Sequence, residues 1–272
     1  MNRLFNPFSK LRSQVFSLAV FISLAFLINS CEKDKPLPQP VIEETDGFIE
    51  LEFIGKMNGL PLQGYTVFEN ANGQRSTIEN FKFYLGEISL RNEQNEVVKL
   101  RDVAFFDMLN GKNSMRVKLP QGIYSHLNYH VGVPDEMNGT NNPTFSAAVY
   151  EQEHPLSIFN GMYWTWATGY IFLKIEGKID TSSAQNQTPL RNYFYHVGMQ
   201  EFYELKDFPG STFEIKAGET TKVRISMEYN DFFRNDNETI DMAVQSFTHT
   251  TDNIQLARKI FSNFLQSMEL AP

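Results

Sequence analysis

The chain has a single cysteine, Cys31, so no internal disulfide can form and the fold must be held by its core. Basic residues are scarce beside acidic ones, 24 against 32, and three of them, Arg3, Lys10 and Arg12, fall among the first 30 residues, where there is no acid. The remainder is therefore more acidic than the formal −8 of the whole chain, which disfavours nucleic acid and anionic membrane surfaces and favours cations. No apolar run reaches the about 20 residues of a comfortable membrane span. Missing too are Gly-x-Ser-x-Gly, His-Glu-x-x-His, a phosphate loop and the two-glycine nucleotide fingerprint. The acid pairs Asp135 with Glu136 and Asp231 with Asp236 lie in loop-like sequence, where unshifted carboxylates are the default. These absences point away from an enzyme.

The N-terminus carries an address. Basic residues up to Arg12 precede the apolar run from Val15 to Ile28, which reads as a secretory signal. The run ends in Leu27-Ile28-Asn29-Ser30-Cys31, which resembles a bacterial lipobox, where the cysteine is diacylated after cleavage; a buried or stray thiol is the alternative. On this reading residues 1–30 are a lipoprotein signal peptide and residues 31–46, charged and punctuated by Pro36, Pro38 and Pro40, are a flexible tether. Residues 47–272 then form one body held in the bacterial cell envelope, at the periplasmic face or the cell surface.

In that body, short segments alternate in polarity with turn signals about every ten residues, so the expected fold is all-β, an antiparallel sandwich or barrel-like domain. Phe48 to Phe53 opens it, Phe81 to Leu90 is the strongest period-2 segment, and Glu93-Gln94-Asn95 closes a hairpin onto Val97 to Leu100. Thr212 to Ile215 and Thr221 to Tyr229, joined by Lys216-Ala217-Gly218-Glu219, read as a second hairpin. Helix is expected only around Phe145 to Tyr150 and at the C-terminus, where Asp252 or Asn253 can cap a run with Ile254, Leu256, Ala257, Ile260, Phe261, Phe264 and Leu265 at helical spacing. His126 and His130 read as ordinary sheet histidines, since i and i+4 on a strand lie about 13 Å apart. His154 reads as exposed and without a partner.

The segment Gly161 to Tyr170 holds both tryptophans, Trp164 and Trp166, two residues apart, with Met162 nearby; as a strand running into Ile171 to Gly177 it would project both indoles from one face. Aromatic packing in a core is the plain alternative for such a run.

Five separated segments together resemble the MbnP-like copper-binding family, periplasmic or lipid-anchored proteins first associated with methanobactin gene clusters. They are Phe81 to Leu90; Val131-Gly132-Val133-Pro134 with Asn138; Met162-Tyr163-Trp164-Thr165-Trp166 through Gly169-Tyr170; His196-Val197-Gly198; and Phe247-Thr248-His249-Thr250 leading to Ala257, Asn263 and Phe264. The resemblance implies copper binding in a β-rich secreted scaffold, with Trp164 or Trp166 open to oxidation to kynurenine by a dihaem cytochrome c peroxidase-like partner. His196 and His249 become the imidazole candidates, with Met162 as a thioether donor suited to Cu(I). The chain departs from the family in lacking the four cysteines some members carry, and in having Gly139 where members often have histidine.

The expected function is therefore a membrane-anchored copper-binding protein that acquires, stores or delivers the metal. The competing reading is a surface lipoprotein that binds glycan or protein on an aromatic platform of Tyr163, Trp164, Trp166 and Tyr170.

Overall fold

The structure is a computed structural model that describes residues 45–139, 146–164 and 169–271. The signal-like segment, Cys31, nearly all of the tether and Trp166 lie outside the described residues. One compact unit spans Glu43–Pro272.

Among the described residues, thirteen strands form two sheets. They are β1 (Asp46–Met57), β2 (Leu60–Pro61), β3 (Phe68–Glu69), β4 (Arg75–Arg91), β5 (Val97–Asp107), β6 (Ser114–Pro120), β7 (Gly122–Val131), β8 (Ile171–Ile179), β9 (Arg191–Gly198), β10 (Glu204–Ile215), β11 (Thr220–Glu228), β12 (Phe247–Thr248) and β13 (Glu269–Ala271). The first sheet runs β13-β11-β1-β2 with β6 also on β1; the second runs β10-β7-β4-β8-β9-β12 with β3 and β5 on β4. This is the expected sandwich, with two parallel pairings, β1 with β11 and β12 with β9, among antiparallel ones.

Alternation builds the interior. Ile49, Leu51 and Phe53 of β1 and Val223, Ile225 and Met227 of β11 are buried, while Glu50, Glu52, Lys222 and Arg224 between them point outward. Phe53 crosses to the second sheet, its ring 4.7 Å from Phe106 and 5.2 Å from Phe83, and Phe83 stacks on Phe106 at 5.0 Å. The helix α2 (Ile254–Ser267), preceded by a short α1 (Asp135–Asn138), is the C-terminal helix read from the sequence. Asn253 is its cap, accepting the Leu256 N–H. Its Phe264 meets Phe83 and Phe232, and α2 packs on β11 of one sheet and β9 of the other.

Three expectations need correction. The passage Thr212 to Tyr229 is not a hairpin: β10 pairs with β7 and β11 with β1, so the link between them crosses from one sheet to the other. A turn signal marks a reversal and is silent on which sheet receives the next strand. His154 is half-buried, stacked on Tyr150 at 4.2 Å, and its Nδ1 accepts the Leu156 N–H. The tryptophan segment is not one strand: Tyr163 bridges antiparallel to Tyr170, Trp164 N–H donates to the Gly169 carbonyl, and Ile171 N–H donates to Met162. Gly169, at φ 134°, and the buried Asn138, which accepts the Tyr170 N–H at 2.7 Å, hold that return; β8 begins only at Ile171.

Candidate metal centre at the sheet edge

Strand β9 buries Tyr193, Tyr195 and Val197, so Phe194 and His196 face out. In the β8–β9 register Lys174 lies opposite His196 and Glu176 opposite Phe194, which gathers a charged and aromatic patch on the outer face. Strand β12 pairs parallel to β9 with Phe247 beside Phe194, and His249 follows directly. Past the last backbone pair, the buried Thr250 continues the seam through its hydroxyl, donating to the His196 carbonyl at 2.9 Å and accepting the Gly198 N–H at 3.0 Å.

The two imidazoles predicted from sequence are thus neighbours, ring centroids 5.2 Å apart. Phe194 flanks both, 5.7 Å from His196 and 4.9 Å from His249. Each imidazole is backed by a carboxylate: His196 Nε2 by Glu176 at 2.7 Å, His249 Nδ1 by Asp252 at 3.0 Å. Trp164 rests on Gly198, two residues past His196 on β9. A Cβ on Gly198 would fall 2.7 Å from the six-membered ring of the indole, and Trp164 is only 7 % exposed. Met162 is fully buried within the hydrophobic core. Among the described residues no three His, Cys, Asp or Glu side chains converge as a metal site, so the histidine pair is the centre of the candidate. Of the proposed aromatic platform, Trp164 and Tyr170 are buried and Tyr163 half-buried.

Sequence reasoning missed Glu176, Lys174 and Asp252. Lys174 and Glu176 reach His196 only through the pairing of β8 with β9, whereas Asp252, read from the sequence as a helix cap, meets His249 across the local turn that opens α2.

Burial opposes ionisation of Glu176, but the His196 hydrogen bond and the Lys174 ammonium outweigh it and bring the carboxyl from 4.5 down to about 2. His196 is lowered from its usual 6.5, by burial first, with Lys174 and His249 adding to it against the pull of Glu176. Both depressions favour folding at higher pH. The imidazole's share is present above about 6.5 and lost below it, and the carboxylate's is lost as pH falls from 4.5 towards about 2. Urea midpoints of the metal-free protein are therefore expected to fall across this range, and Glu176→Gln to flatten the part between 4.5 and about 2. Parallel curves for the two proteins would contradict the pairing.

A mixed β-sandwich with a C-terminal helix and an imidazole pair on one sheet edge defines the class: a β-rich scaffold that presents a two-histidine centre. The chain belongs to the MbnP family, whose model matches residues 46–253. Among solved structures the fold matches MbnP from Methylosinus trichosporium with a TM-score of 0.52 and 13% identity, covering 78% of this chain and 88% of that one. At that identity the likeness is one of fold. No curated protein matches.

Contacts link described parts of the segments that carry the family resemblance, from the middle of the second sheet out to this edge. Gly132 N–H donates to the Tyr84 carbonyl of β4, Asn138 holds Tyr170, Trp164 lies on Gly198, and Thr250 ties Gly198 and His196 to the start of α2.

Proposed function

We propose that the protein binds copper between His196 and His249, as a non-enzymatic member of its family that acquires, stores or delivers the metal at the bacterial envelope, anchored by lipidated Cys31. The observation that carries this reading is the meeting of two imidazoles from distant parts of the chain, each backed by a carboxylate. Metal-binding histidines commonly donate their second ring N–H to a carboxylate, and neutral imidazole suits copper in either oxidation state. Met162 is the thioether candidate to complete the donor set. Trp164 or Trp166 is the candidate for oxidation to kynurenine by a dihaem peroxidase-like partner, which would replace an indole without an in-plane lone pair by an aniline nitrogen and a ketone.

The test is copper content by mass spectrometry of the purified body, with and without His196→Ala/His249→Ala, after expression alone and beside the haem partner. The expected result is bound copper in the parent, none in the double variant, and a gain of about 4 Da on a tryptophan peptide when the partner is present. Equal copper in parent and double variant would remove the site assignment.

A further inference from the structure

Resting on the copper reading, we propose that Glu176 and Asp252 are positioning residues that lock the two imidazoles in opposite tautomers, so that His196 offers Nδ1 and His249 offers Nε2 to the metal. An ionised carboxylate has no proton to give, so the ring nitrogen it touches must carry the hydrogen and the other nitrogen the lone pair. Glu176 touches His196 at Nε2 (2.7 Å), whereas Asp252 touches His249 at Nδ1 (3.0 Å).

Neither carboxylate is available as a ligand in its own right. Glu176 Oε1 also takes the Lys174 ammonium at 3.2 Å, and Oε2 takes the Asn80 amide at 2.6 Å. Asp252 Oδ1 accepts the His249 backbone N–H at 2.7 Å and the Thr248 hydroxyl at 3.1 Å. Both acids are thus held from two sides, and their role is to fix ring orientation. The two rings reach these acids differently: His196 leans across its own sheet to the neighbouring strand β8, while His249 folds back over the turn that opens α2. That difference in direction is why one ring is gripped at ε and the other at δ.

The assignment predicts a result that needs no metal. In long-range proton–nitrogen NMR spectra of the metal-free protein, labelled at histidine and held at a pH where both rings are neutral, His196 should show a protonated Nε2 and a bare Nδ1, and His249 the reverse. Glu176→Leu should release the His196 ring to a mixture of tautomers while His249 keeps its own, and Asp252→Ala should do the converse. Each variant should weaken Cu(I) binding, measured by competition with a chromophoric chelator, by about 10–100-fold. Like tautomers in both rings of the parent protein would overturn the inference even if copper binds. Opposite tautomers with no copper bound by the parent would uphold the lock and overturn the copper reading, and the donor assignment with it. Should Glu176→Leu fail to fold, the parent spectrum still decides.

Discussion

Phe83→Ala is expected to lower the stability of the protein by about 3–5 kcal/mol, the usual cost of removing a buried phenyl ring from a packed core. Phe83 is fully buried at the point where three parts of the fold meet: Phe53 of β1 at 5.2 Å, Phe106 of β5 at 5.0 Å and Phe264 of α2 at 5.4 Å. Removing it empties space shared by both sheets and the helix, which cannot collapse into it together. With no disulfide possible, nothing else compensates. A urea titration followed by circular dichroism should show the midpoint falling, with loss of strand and helix signals in one step. A loss under about 1 kcal/mol would mean that the sheets are not joined through this cluster.

The same cluster shows what a sequence can reveal. Alternation marks β1, β4 and β11 because each buries one face, and helical spacing marks α2 because it lays one stripe across the gap between sheets. Partner choice is different. Nothing in Phe48 to Lys56 says that its neighbour is Thr220 to Glu228, far along the chain and parallel to it. The supposed hairpin between β10 and β11 fails for that reason: local turn chemistry is present, but the hydrogen-bond partners lie in opposite sheets.

The histidines divide in the same way. His196 and His249 are visible as residues of a family pattern, whereas the acids that orient them are not, because Glu176 is one of several outward charges on β8 and Asp252 is four residues past the edge strand β12, where it reads as a helix cap. The tryptophan run misleads for another reason. Its aromatic content favours a strand, and strand-like pairing does form, but as a return that sets Tyr163 against Tyr170. The signal for that return was the Gly169 placed before Tyr170, together with an asparagine 32 residues upstream that becomes a backbone partner.

Gly198→Ala is expected to destabilise the protein and to disturb the candidate site from beside the indole. The new Cβ would sit 2.5 Å from the Tyr170 carbonyl oxygen and 2.7 Å from Cη2 and Cζ3 of Trp164. The carbonyl belongs to backbone anchored by Asn138, so the indole or the β9 chain must give way. Such overpacking costs about 1–3 kcal/mol. Here the displacement also reaches function, because the Gly198 N–H is bonded to Thr250 and the same hydroxyl holds the His196 carbonyl. Shifting β9 therefore changes the spacing of His196 and His249 without altering either ring. In a Trp166→Phe background the remaining indole reports on this directly: its emission should move to longer wavelength as Trp164 leaves its buried place, and copper affinity should fall with it. Leu190→Ala, at an exposed position just before β9, should leave both unchanged. If Gly198→Ala alters neither emission nor stability, Trp164 does not rest on this glycine, and the proposed link from the indole to the imidazole pair is broken at its first contact.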